Sequence, residues 1–161
     1  MSPTNSVAAL VDRYAAGATL PAELIKGLTR AELNAFPVPG TWSIQQIVLH
    51  LMDSDLIGSE RMKRTIAMTR PLLLSYDETA FTASLHYDKQ DAALACEVFR
   101  LNRLMTAALL RELPHDAFAR RAVHSESGLE TLEDLVRGYA DHLDHHARFM
   151  REKRRLLGHA G

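Results

Sequence analysis

Only one cysteine, Cys96, occurs in the chain, so no internal disulfide can brace the fold, and a reducing compartment, the cytoplasm, is the expected location. A surplus of charge is also missing. Nineteen basic and twenty acidic side chains give a formal net charge of -1, which sets up no field for nucleic acid or an anionic membrane and makes DNA binding an unexpected role. No apolar run approaches the roughly 18 residues of a membrane span, and Met1 to Asn5 shows no basic segment leading into an apolar stretch. Sustained alternation of apolar and polar residues, the mark of a half-buried strand, is absent. So are a Gly-rich phosphate loop and a Ser-His-Asp arrangement.

What remains is helical periodicity. With 47% apolar and 24% charged residues, the 161-residue chain can bury a sizeable core as one domain over 1–161. Four long helices are expected, hence an all-α four-helix bundle. The first covers about Ser6 to Ala16, with Val7, Leu10, Val11 and Tyr14 on one face, and a short turn of helix follows at Pro21 to Gly27. Pro37-Val38-Pro39-Gly40 forces a loop, after which Ser43 and Gln46 form a capping box opening a helix from about Ile44 to Arg70, where Pro71 stops it. The pattern lapses from Pro71 to Tyr87, a connection long enough to cross over the bundle. Helix three covers about Asp88 to Leu113, with a core stripe at Leu94, Val98, Leu101, Met105 and Leu109. Helix four is capped at Thr131 and runs to about Leu157.

That last helix carries His142, His145 and His146, and helix phase sorts them. At about 100° per residue, Leu132, Leu135, Tyr139, Leu143, Phe149, Met150 and Leu157 gather around the direction of His146. His142 falls about 40° from that centre and His145 about 100° away, while Asp141, Asp144, Arg148 and Arg151 mark the wet side. Two imidazoles one turn apart on the inner face are costly to bury unless their nitrogens are satisfied. A divalent cation satisfies both, and so would hydrogen bonds to other helices. The residue after His142 is Leu143, so the Glu that a zinc protease uses as base is missing, and no Glu stands three residues before any of this helix's three histidines as in di-iron bundles. A mononuclear site is the simpler expectation. His50, two turns into its capped helix and flanked on its face by Gln46, Asp53 and Ser54, is the best candidate for a third ligand.

Thr41-Trp42-Ser43 with His50 seven residues after Ser43, the pair Tyr139-x-x-His142-x-x-x-His146, and Tyr76-Asp77-Glu78 within the segment from Pro71 to Phe81 resemble the DinB-like metal-binding superfamily. The likeness runs from about Val7 to Leu157. It implies an up-down-down-up four-helix bundle in which His50, His142 and His146 hold one divalent ion, zinc or nickel, with positions left open. It further implies a thiol-dependent S-transferase or a hydrolase acting on a small molecule, a low-molecular-weight thiol as co-substrate in the first case, and a homodimer. A non-catalytic helical interaction module, with a structural metal or none, is the competing class. Asp53, His124 and His145 are further groups within reach of such a site. His86 and His115 read as loop histidines, Arg61 as a surface cation or an attractor of acidic substrates, and Cys96 as a packed thiol off the core stripe. Trp42 reads as an anchor or the wall of a pocket mouth, and Met52, Met62, Met68, Met105 and Met150 as core filler.

Overall fold

The computed structural model describes residues 3–160. Four long helices dominate: α1 (Pro3–Ala16), α4 (Ile44–Ala67), α6 (Ala92–Arg111) and α7 (Leu132–Leu156). Between α1 and α4 lie two short helices, α2 (Leu20–Ile25) and α3 (Arg30–Leu33). The crossover between α4 and α6 contains strand β1 (Leu72–Leu73), helix α5 (Glu78–Ser84) and a 3₁₀ turn at Tyr87–Lys89. A 3₁₀ turn at His115–Ala119 and the hairpin of β2 (Arg121–His124) and β3 (Gly128–Thr131) lead into α7.

The local signals for the main helices act as expected. Ser43 and Thr131 both close complete capping boxes, with Gln46 and Asp134, and thereby satisfy amides that would otherwise be orphaned at the helix starts. The α6 start differs from expectation: Asp91 caps it by accepting from the amides of Ala93 and Leu94, so Tyr87–Lys89 remains a separate turn. Helix α4 stops at Ala67, before Pro71 can act.

The small sheet was not expected, and it settles the helix directions. Strand β1 follows α4 and pairs in parallel with β2, which follows α6 (Leu72 opposite Val123). The two helices therefore end at the same end of the bundle and run parallel. Strand β3 pairs antiparallel with β2 and passes directly into α7, which starts at that end and runs back. With α1 antiparallel to α6, the topology is up-down-down-up, and the crossover spans the bundle because parallel neighbours cannot be joined by a short turn. Buried Gln45 anchors that crossover, its Nε2 donating to the carbonyls of Tyr87 and Gln90, each at 2.8 Å. Strands of two to four residues hold their shape through this pairing, which is why their sequences carry no alternation.

Two apolar clusters fill the bundle. One gathers Val7, Val11 and Tyr14 with Met62, Leu110 and Val136; the other gathers Ile47, Leu49 and Leu51 with Phe99, Leu143 and Met150. Between them lies Arg103, fully buried and stacked on Tyr14 (4.4 Å) and Phe99 (4.6 Å). Its Nε donates to Asp55 Oδ1 at 2.8 Å, while its two terminal nitrogens donate to the carbonyls of Tyr14 (3.2 Å) and Tyr139 (2.7 Å). Asn102 Nδ2 donates to Asp55 Oδ2 at 2.7 Å. One ion pair thus touches α1, α4, α6 and α7.

Arg103 also reverses the expected face of α6. Ala92, Ala95, Cys96, Phe99, Arg103, Ala107 and Leu110 point inward, so Cys96 belongs to the core. Leu94, Leu101, Met105 and Leu109 instead face outward, Met105 at 75% exposure and Leu94 at 63%. Met68 is likewise exposed, whereas Met62 and Met150 are core residues as expected. The inner face is the less apolar one. Its small alanines admit close packing, and its guanidinium is tolerable only because Asp55 neutralises it.

Arg103→Ala leaves the Asp55 carboxylate buried without its counter-charge and should destabilise the protein by about 3–5 kcal/mol. Urea unfolding measures this, and the double variant Asp55→Asn, Arg103→Met should lose less than the single one.

Candidate metal centre

His50 sits two turns into α4, and His142 and His146 stand one turn apart on α7. The packing of α4 against α7 brings them together: one ligand-type nitrogen from each lies within 4.8 Å of the other two. The Nε2 atoms of His50 and His142 are 3.0 Å apart, close to the roughly 3.3 Å that separates neighbouring ligands in tetrahedral imidazole coordination of zinc. Ring centroids lie 4.6 to 5.0 Å apart, with tilted or edge-on planes, so the rings converge without stacking on one another.

The surroundings keep these rings neutral. Burial, reinforced by His146, pulls the His50 pKa down to about 4. Burial also lowers His142 to about 3, helped by His50 and Arg103, and His146 to about 3, helped by His142. A neutral imidazole is the metal-binding form. Nδ1 of His50 and Nδ1 of His146 are buried and without a hydrogen-bond partner among the described residues, an expensive condition for nitrogens with no function. Three converging neutral imidazoles fit a divalent metal ion of borderline softness.

Several neighbours shape the cluster. Trp42, in the loop just before α4, lies 4.9 Å from the His50 ring and parallel to the His146 ring at 6.1 Å. Tyr139 packs against α4 where Gly58 stands; a Cβ there would come within 2.5 Å of its ring. Glu78, at the start of α5, places Oε2 3.7 Å from His50 Nε2.

His50 and His142 line a cavity of about 550 Å³ that also takes in Arg61, Tyr76, Glu78 and Tyr139. The loops around the small sheet form the opposite wall, through Ser75, His124, Glu126 and Ser127. Arg61 is half-buried here and committed to the protein, donating to Tyr139 Oη at 2.9 Å and to the carbonyl of Leu74. Burial raises the Tyr76 hydroxyl to about 12 and also raises Tyr139, so both present neutral O–H groups. Asp77 and Asp134 are spent on helix caps and Glu130 accepts from Ser127 Oγ, which leaves Glu78 and Glu126 as the freer carboxylates of the lining.

Of the other residues within expected reach, Asp53 accepts from Tyr87 Oη at 2.5 Å and stays outside the cluster. His145 meets Phe149 edge-on and contacts Arg148 on the exposed side. His124 lines the cavity but accepts from the amides of Glu126 and Ser127. The position of Glu78 beside His50 was not foreseen from sequence; Tyr76-Asp77-Glu78 in the crossover was the available signal.

The sequence profile of the DinB superfamily matches residues 16–150. YfiT of Bacillus subtilis, named as a candidate metal-dependent hydrolase, is 27% identical over 143 residues, covering 86% of this chain and 80% of YfiT. A Bacillus licheniformis protein with the same designation is 27% identical over 120 residues, 74% of this chain and 68% of its own length. The solved structure of Bacillus subtilis YfiT, described as a four-helix bundle of unusual topology, superposes with a TM-score of 0.92 at 23% identity, over 99% of this chain and 91% of that one.

The depressed histidine pKa values fix a pH dependence for the metal-free protein. Because the folded pKa values lie below the ordinary 6.5, the unfolded chain binds more protons between about pH 6.5 and 3, so stability falls as pH drops through that window. Thermal melts from pH 8 to 4 should show the decline, and His142→Gln should blunt it.

Proposed function

The chain belongs to the DinB superfamily, and from that premise we propose that it is a metal-dependent enzyme using one divalent ion, zinc or nickel, held by His50, His142 and His146. The observation that carries the reading is a donor face of three neutral imidazoles opening onto a 550 Å³ cavity with polar walls, a volume suited to a small-molecule substrate. A structural site would be closed on all sides by protein. The relatives named as candidate metal-dependent hydrolases support the same direction.

Such an ion supplies Lewis acidity, lowering the pKa of a water or thiol at its open position. The chain's own residues do the rest. Glu78 presents its carboxylate to the space in front of His50, where it can accept a proton from a nucleophile. Tyr76 and Tyr139 offer hydroxyl donors to a substrate oxygen, and Arg61 holds Tyr139 in place. Arg61 keeps its positive charge while donating to neutral oxygens, its Nε is buried without a partner among the described residues, and Glu78 and Glu126 are free carboxylates, so the lining carries charge of both signs. Hydrolysis uses water as the nucleophile, and S-transfer uses a low-molecular-weight thiol in the same position; the lone Cys96, buried and raised to about 12, cannot supply that thiol. Cytoplasm is the compartment that fits a free thiol chemistry.

A homodimer completes the reading. The outward stripe of Leu94, Leu101, Met105 and Leu109 on α6, with Leu104 beside it, is exposed. An apolar stripe of this kind on a protein surface favours a partner. Antiparallel self-pairing about Leu101 would lay the stripe of one copy along that of the other, with the Asp91 end of each helix beside the Arg111 end of its partner.

Cobalt-loaded protein tests the metal reading. One equivalent should bind, His50→Ala and His146→Ala should abolish uptake, and added cysteine should shift the visible spectrum by entering an open position. A spectrum indifferent to cysteine and to small anions would make the metal structural. For the dimer, light scattering of Leu101→Glu, Met105→Glu should give half the wild-type mass; an unchanged mass would remove α6 from any interface.

A further inference from the structure

A second cleft, of about 230 Å³, touches the histidine cluster through His146, whereas the larger cavity reaches it through His50 and His142. Its walls are apolar: Val38, Trp42, Ile47 and Phe149. An apolar cavity of about 150 Å³ already holds benzene, so this cleft has room for a ring or short alkyl chain bearing a substituent.

One lining residue does not belong in an apolar cleft. Lys153 on α7 is 2% exposed, and its Nζ donates to Thr41 Oγ1 at 2.5 Å. That hydroxyl is its only acceptor among the described residues, and no carboxylate lies within ion-pair distance of it. An ammonium carries three donors, and a buried one without a counter-ion is costly. Burial accordingly pulls the Lys153 pKa below the ordinary lysine range. Glu152 also lines the cleft and its charge opposes that shift, but it is exposed to water and forms no ion pair with Lys153 among the described residues.

The cleft therefore combines apolar walls with one buried cation that has no ion-pair partner among the described residues. We propose that it binds a small amphipathic carboxylate, an aryl- or alkyl-carboxylic acid, with the carboxylate on Lys153 Nζ and the apolar part between Trp42 and Phe149. The site needs no metal, because Lys153 and the apolar walls supply every contact. When the triad is loaded, such a ligand lies beside His146, on a side of the cluster distinct from the polar cavity.

Trp42 is the sole tryptophan and forms part of the wall, so its emission reports occupancy directly. The full chain, as purified and after EDTA treatment, is titrated with phenylacetate and with 2-phenylethanol, which keeps the ring but replaces the carboxylate with an alcohol. Phenylacetate should change Trp42 emission saturably and bind at least about tenfold tighter than 2-phenylethanol, the margin expected of a charge-assisted hydrogen bond. Lys153→Met should erase that margin while leaving 2-phenylethanol binding unchanged. Phe149→Ser, at a position 41% exposed and so tolerant of change, should weaken both ligands. Should Lys153→Met fail to fold, the ratio of the two ligands and Phe149→Ser still decide the matter. Equal affinity for both ligands, wild-type phenylacetate binding by Lys153→Met, or no response to phenylacetate would overturn the proposal. Binding lost on EDTA treatment would do so too, since the carboxylate would then have been held at the triad.

Discussion

The buried pair of Arg103 and Asp55 is the constraint on which the rest of the structure depends. A guanidinium and a carboxylate, each almost wholly removed from water, are tolerable only where every donor and acceptor finds a partner. Here those partners come from three helices: the carbonyl of Tyr14, the side chain of Asn102, and the carbonyl of Tyr139 surround the pair. Apolar side chains alone would permit the helices to slide by a turn with little loss, because grease is not directional. The ion pair removes that freedom. Asp55 lies five residues beyond His50 on α4, and Tyr139 three residues before His142 on α7, so the network that sets the axial offset of these helices also sets His50 opposite the α7 histidines.

The histidine cluster is consequently an imposed arrangement, held together despite its own energetics. Three imidazoles in contact, two with buried Nδ1 atoms lacking partners among the described residues, would disperse on a flexible scaffold. Rigid positioning of neutral rings is what a divalent ion requires of a protein, since little then has to be reorganised on binding. The two sides of the cluster differ in chemistry. One opens to a polar cavity walled by the crossover and the small sheet; the other adjoins an apolar cleft between Trp42 and Phe149. A centre with two unlike approaches is suited to bringing two unlike groups together.

The clearest divergence between sequence and structure concerns α6. Its most apolar stripe, Leu94 to Leu109, faces solvent, and its inner face carries Arg103. Periodicity weighs each side chain by its transfer preference in isolation, and an arginine counts heavily against burial. The counter-charge that reverses that weight lies on another helix, 48 residues away. The sheet leaves no mark in the sequence pattern for a related reason: β1 has two residues and gains its conformation from β2, some fifty positions later. The approach of Glu78 to His50 depends on the same crossover, and so was equally invisible.

What sequence alone determined was local. Capping boxes at Ser43 and Thr131 fixed where α4 and α7 begin, and 3.6-residue periodicity then turned His142 and His146 inward and His145 outward, because those outcomes depend on bonds and phases within a single helix. The choice of His50 rested on the family resemblance and a polar helix face. Only the tertiary structure decided which face of α6 is buried, which carboxylate approaches the histidines, and that Lys153 lies desolvated in an apolar cleft. Each of these turns on a charge meeting or missing its partner across the bundle, and the free energy of a charge is set by whatever surrounds it in space rather than by its neighbours along the chain.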